Sequence, residues 1–164
     1  MNWTMLAVIV STDVWRTEMS VWEFLRSIPK TVVLIERKTV QVQEMESSLI
    51  YKGIQNTEGS FGSTDVESRN NALAEWVALK NELEKDIIKL VESKRKAMNM
   101  IGSLSEARKV DIFYRRYMEN MRWEEIALSL GVTYQWVHEL HKQGLRELAK
   151  KWPEFDSVYP RGGN

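Results

Sequence analysis

The chain has 164 residues and a mass of 19.2 kDa, room for one ordinary domain or two small ones. Apolar types make up 43% and charged types 28%, the composition of a chain that folds, and 23 basic against 23 acidic residues exclude a chain-wide positive field toward nucleic acid or membrane. The absence of cysteine excludes disulfides, thiolate zinc sites, iron-sulfur clusters and thiol nucleophiles, and fits a reducing cytoplasm.

Near the N-terminus, Met5 to Val10 is an apolar run too short for a signal peptide or a membrane span, and no Lys or Arg precedes it. The sequence therefore predicts a cytoplasmic protein with no membrane partner. Residues 1–18 show no helical period and are expected to be an unstructured appendage, with Met19 a candidate alternative start. From Ser20 onward, Leu25, Ile28, Val32, Ile35, Val42 and Leu49 recur at three-and-four spacing, interrupted by Thr39 and Glu46, which predicts a long amphipathic helix. Ser20 and Glu23 have capping-box spacing at its start and Gly53 follows its expected end. Pro29 removes the amide that would bond the Leu25 carbonyl, so either a kink or a later start near Ser27 is expected.

Residues 53–70 are rich in Gly, Ser, Thr and Asn and read as a flexible connector. Its Gly59-Ser60-Phe61-Gly62-Ser63 segment lacks the Lys and the preceding strand of a phosphate-binding loop. A second heptad follows through Leu73, Trp76, Leu83, Ile87, Leu90, Ala97 and Ile101, broken by Lys80 and Lys94. Two long helices of similar length predict a coiled-coil-like hairpin over residues 19–102. Its charged seam positions Glu46, Lys80 and Lys94 leave open whether the stripe also serves a homodimer through residues 20–101 or another protein.

After Gly102 the organisation changes to three short helices, Ser105 to Met118, Trp123 to Leu130 and Tyr134 to about Lys150, with Ser103 and Glu106 at capping-box spacing before the first. Asn120 and Gly131 stand where left-handed turn residues are needed, and Thr133 is a natural N-cap. Trp123, Ile126, Ala127, Leu130, Gly131, Val132, Val137, Leu140 and Leu145 have the order and spacing of a helix-turn-helix core, in which the small Ala127 lets the second helix cross closely. Gly144 is expected where the first of the three helices approaches near Phe113 or Tyr117. The tail from Trp152 should be disordered beyond a docking of Trp152 or Phe155.

The stretch from Trp123 to Leu148, WEEIALSLGVTYQWVHELHKQGLREL, resembles region four of bacterial sigma factors. The span from about Ser20 to Lys151 resembles small phage and prophage proteins of Gram-positive bacteria related to ArpU-type and RinA-type transcriptional regulators, with the Val137-His138-Glu139-Leu140-His141 run and the Gly62-Ser63-Thr64-Asp65 segment as its more specific marks. The resemblance implies an all-α protein, a helical hairpin followed by a trihelical helix-turn-helix domain over residues 103–151, that binds double-stranded DNA and regulates phage transcription. Two departures stand out. Arg122 occupies the position where such proteins often carry a Ser N-cap, a loss of about 0.5–2 kcal/mol. Tyr134, Gln135 and Trp136 stand where sigma factors usually place Arg and Glu, so a sigma promoter cannot be carried over as the target.

On a helix capped by Thr133, the base-facing candidates are Tyr134, Gln135, Trp136, His138, Glu139 and Lys142. Gln135 suits adenine, Glu139 accepts from cytosine, and His138 and Lys142 donate to guanine or phosphate. Trp136 either meets a thymine methyl or sugar, or folds back over the preceding helix. Residues 105–151 hold nine basic and seven acidic side chains, and Arg122, Thr133, Arg146, Lys150 and Lys151 are the phosphate candidates, the last two being equally readable as a solvated helix end. His138 and His141 are three apart on one helix, but without a third ligand they are read as a DNA contact and a packing residue rather than a metal site. No enzyme motif or cofactor loop is evident. The rivals to a DNA-binding regulator are a DNA-packaging component such as a terminase small subunit, and a module that contacts RNA polymerase or another protein.

Overall fold

The computed structural model describes residues 19–55 and 63–155. They form five helices, α1 (Val21–Gln55), α2 (Ser63–Gly102), α3 (Ala107–Tyr117), α4 (Trp123–Leu130) and α5 (Tyr134–Lys151), and no strand lies among the described residues. The all-α class is as the periodicity predicts. Residues 27–99 form one compact unit, and a second combines the head of α1 with the chain from Met100 onward. The expectations for residues 1–18 and 156–164 lie outside the described residues.

The capping box at the head of α1 is formed. The Glu23 amide donates to Ser20 Oγ (3.2 Å), and the Ser20 amide and hydroxyl both donate to Glu23 Oε2 (2.9 Å each). α1 then runs unbroken through Pro29, which corrects the later start near Ser27. Two further expectations are overturned at the other end. α1 extends past Gly53 to Gln55 and α2 begins at Ser63, so residues 53–55 and 63–70 of the predicted connector are helical, while residues 56–62 lie outside the described residues. Val66, Glu67, Ser68, Arg69 and Asn70 are all exposed, so the scarcity of apolar residues there marks a solvated stretch of helix and not a loop.

Within residues 27–99, the sheltered face of α1 follows Ile28, Val32, Ile35, Thr39, Val42, Met45 and Leu49, the predicted heptad with Met45 in place of Glu46. On α2 the sheltered positions are Ala72, Trp76, Leu79, Leu83, Asp86, Leu90, Ser93 and Ala97. Trp76, Leu83, Leu90 and Ala97 are as predicted, but the alternate heptad positions lie one residue earlier than expected. Leu73 and Ile87 are therefore exposed, as is Lys80. The polar Asp86 is tolerated in this stripe because Lys38 of α1 pairs with it (2.5 Å) and with Glu82 (3.1 Å). This pairing holds the Asp86 carboxyl below its usual range and raises the Lys38 ammonium.

In the second unit α3, α4 and α5 pack pairwise around Ile112, Phe113, Tyr117, Ile126, Val137, Leu145 and Leu148, all buried. The predicted Ser103 and Glu106 box is absent. Glu106 is the N-cap without a side-chain hydrogen bond, and the Ser103 hydroxyl donates to the Met100 carbonyl (2.7 Å). The tail is docked as far as it is described, with the Phe155 ring 5.1 Å from Phe24 and Trp152 Nε1 donating to Ser103 Oγ at 3.4 Å.

Candidate nucleic-acid interface

The joint between α4 and α5 is built from three local requirements. Gly131 ends α4 in the left-handed region (φ 64°), where a side chain would be strained, and its amide returns to the Leu128 carbonyl. The Val132 amide bonds the Ala127 carbonyl at 3.0 Å, and Thr133 Oγ1 accepts from the Trp136 amide at 3.2 Å, capping α5. One turn earlier Asn120 adopts φ 56° between α3 and α4. Arg122 does not leave the head of α4 to fray. Glu125 accepts from the Arg122 amide (2.7 Å) and from its guanidinium (3.1 Å), and these bonds, the amide's foremost, keep the Glu125 carboxyl below its ordinary range, with the ion pair standing where the hydroxyl is missing.

The predicted core residues Ile126, Ala127, Val137, Leu140 and Leu145 are buried, Trp123, Leu130 and Val132 are partly so, and Gly131 is exposed at the turn. Gly144 is where close approach demands it, since a Cβ there would lie 2.5 Å from Phe113 Cε2. Beside it His141 is buried among Phe113, Tyr117 and Trp123, with Tyr117 Oη 2.8 Å from its Nε2. Burial, aided by the nearby His138 and Arg116, pushes His141 down to about 3, so this ring is a neutral core residue.

Two base-facing candidates are corrected. His138 lies between Trp123 and Tyr134 (ring centroids 4.6 and 4.3 Å), and its Nε2 is buried rather than presented to solvent. Trp136 is half-buried with the Arg108 guanidinium of α3 5.3 Å from its ring centre, so it packs toward α3 and not over α4. Gln135, Glu139 and Lys142 remain exposed, as does Tyr134 at the edge. Gln143, which the sequence reading missed, joins them and donates to Glu139 Oε1 at 3.3 Å. Gln135, Glu139, Lys142, Gln143, Arg146 and Lys150 thus form one exposed stripe along α5 at helical spacing.

Among the phosphate candidates, Arg146 and Lys150 lie on this stripe, exposed Thr133 caps α5, exposed Arg122 caps α4, and Lys151 is corrected. Its ammonium is held by Glu147 (2.8 Å) and the Ser103 carbonyl. Glu147 is a polar hub that the sequence did not announce. It also accepts from the Ser105 amide (2.7 Å) and hydroxyl (3.0 Å), and these bonds, Lys151 foremost, hold its carboxyl at about 2. Arg116 is likewise occupied, donating to the Met121 carbonyl at 2.7 Å while lying over the Trp123 ring. Among the described residues no group of three or more His, Asp or Glu could hold a metal ion, and no helix is long and apolar enough to cross a membrane.

No family model matches the chain, and neither the curated proteins nor the solved structures contain a significant match to it.

Proposed function

We propose that this chain is a sequence-specific DNA-binding protein that lays α5 in the major groove, in the manner of the sigma region-four helix-turn-helix it resembles, and regulates phage or prophage transcription in the bacterial cytoplasm. In this reading α1 and α2 form the helical hairpin and α3 to α5 the trihelical domain. The function is binding, without catalysis or cofactor. The observation that carries the reading is the exposed stripe of Gln135, Glu139, Lys142, Gln143, Arg146 and Lys150 on a helix whose start is fixed by Gly131 and Thr133. Its head offers amide and carboxylate groups suited to base edges, and its tail offers cations suited to phosphates. The hairpin either sets dimer geometry, giving a pseudo-palindromic site, or contacts RNA polymerase, giving an asymmetric one.

The test is selection of bound duplexes from a random library at fixed moderate salt, by the full chain and by Gln135→Ala. Enrichment of one short motif by the wild type, with relaxed preference at one base pair in the variant, supports the reading. Absence of any bound duplex at low salt would refute it and turn the stripe into a protein-binding face.

A further inference from the structure

We infer that a second face of α2 pairs two copies of this chain as an antiparallel two-fold dimer, with its axis near Glu82. This inference stands on α2 alone and does not depend on the DNA reading. Besides the face sheltered within residues 27–99, α2 carries a second stripe at four-and-three spacing: Val66, Asn70, Leu73, Val77, Lys80, Glu84, Ile87, Val91, Lys94 and Met98. Its apolar members are 41 to 60% exposed, together with the flanking Ile88, and the stripe covers roughly 48 Å of helix at 1.5 Å per residue.

What selects a second copy is the order of residues along the stripe. Laid antiparallel on itself about Glu82, it sets Val66 opposite Met98, Leu73 opposite Val91 and Val77 opposite Ile87. Lys80 falls opposite Glu84, Asn70 opposite Lys94, and the flanking Glu67 and Arg95 come together. The two-fold axis makes each of these pairs twice. Every apolar residue thus meets an apolar one, and the Lys80 and Glu84 charges at the centre are cancelled. Sliding the second copy by one heptad either way sets charged residues against apolar ones, as in Lys80 against Val91 or Glu84 against Leu73. A parallel pairing sets Lys80 on Lys80 and Glu84 on Glu84. The charged interruptions therefore specify orientation and register, as polar core positions do in coiled coils.

The test is sedimentation equilibrium of the full chain and of three variants, Lys80→Glu, Glu84→Lys and the double exchange. The wild type is expected to be a dimer at tens of micromolar. Each single reversal creates two like-charge pairs and is expected to weaken association by at least about tenfold, and the double exchange to restore it. Lys80 and Glu84 are both exposed within one chain, so unchanged helical circular dichroism separates a lost interface from a lost fold. A monomeric wild type at about 100 micromolar, single reversals that associate like the wild type, an exchange that fails to restore, or a ring of many subunits would each overturn the inference.

Discussion

His141 gives the sharpest physical test of the α3 to α5 core. Its neutral ring is enclosed by Phe113, Tyr117 and Trp123 and titrates at about 3, whereas an exposed histidine titrates near 6.5. Above pH 6.5 both the folded and the unfolded ring are neutral and the residue adds no pH dependence. As the pH falls below 6.5 the unfolded chain takes up a proton that the folded chain refuses, so stability falls by up to about 1.4 kcal/mol per pH unit until the folded value near 3 is reached. Between pH 7 and pH 5 the loss comes to about 2 kcal/mol. The window is chosen because Glu147, held at about 2, and Glu125, also lowered, stay ionised across it. His138, lowered by desolvation, adds a smaller loss of the same sign.

The assay is urea unfolding by far-ultraviolet circular dichroism at pH 7.0 and 5.0 at constant ionic strength, for the wild type and His141→Gln. The amide retains a partner for the Tyr117 hydroxyl but carries no titrating group, so the variant's loss across the window should fall below about 1 kcal/mol, whatever its starting stability. With only two histidines in the chain, the ring resonances supply a direct check, and that of His141 should not move between pH 7 and 4.5. A wild type equally stable at both pH values, or a Gln variant with the full slope, would refute the buried neutral ring.

Gly144→Ala tests the close approach of α3 and α5. A Cβ 2.5 Å from the buried Phe113 ring should overpack the core by about 1–3 kcal/mol and outweigh the ~1 kcal/mol gain in helix propensity, so a raised Tm would contradict the packing. The cations Arg108, Lys142, Arg146 and Lys150 make no ion pair with a described residue. If all four meet phosphates, the slope of log K against log salt is roughly −3.6, at about 0.9 per neutralised phosphate, and Arg146→Ala should reduce its size by about 0.9. Fluorescence anisotropy with a labelled duplex measures both slopes, and an unchanged slope in the variant would remove Arg146 from the interface.

Several caps, turns and one close approach were legible in the sequence, although not every local signal held, since Gly53 does not end α1 and Ser103 with Glu106 form no capping box. Asn120 and Gly131 were expected in left-handed turns, Ser20 and Thr133 as caps and Gly144 at a close approach, and each stands as expected. The α2 register was not legible, for a reason that bears on its second face. Two apolar stripes run side by side on this helix, one through Trp76, Leu83, Leu90 and Ala97, the other through Leu73, Val77, Ile87 and Val91. A single heptad drawn through the sequence takes one position from each stripe in every seven residues and so sets Lys80 and Lys94 as breaks in a seam to which they do not belong. A helix with one buried face has no need of the second stripe, and an exposed one carries the hazard of non-specific association unless charge restricts its pairing.

The candidate interface was half legible, because residue type and spacing place a side chain on a helix face but do not decide what lies across from it. Gln135, Glu139 and Lys142 could be placed at the surface from their positions alone, and all three are exposed, with Gln143 of the same helix bonded to Glu139. His138 and Trp136 flank the stripe on opposite sides, about 200° apart round the helix, and neighbours from earlier helices, the Trp123 ring for one and the Arg108 cation for the other, draw them toward the protein. Glu147 was hidden in the same way, because its Ser105 partner lies 42 residues earlier. Counting charges misleads for this reason. Of the nine basic residues in 105–151, Lys109, Arg115, Arg122 and Lys151 are held in ion pairs and Arg116 is held by the Met121 carbonyl. The small net charge there therefore says little about affinity for phosphate. For the proposed reading, what counts is that Lys142, Arg146 and Lys150 share the exposed stripe with Gln135, so the cations proposed to meet phosphate are ordered by the same helix that presents the amide.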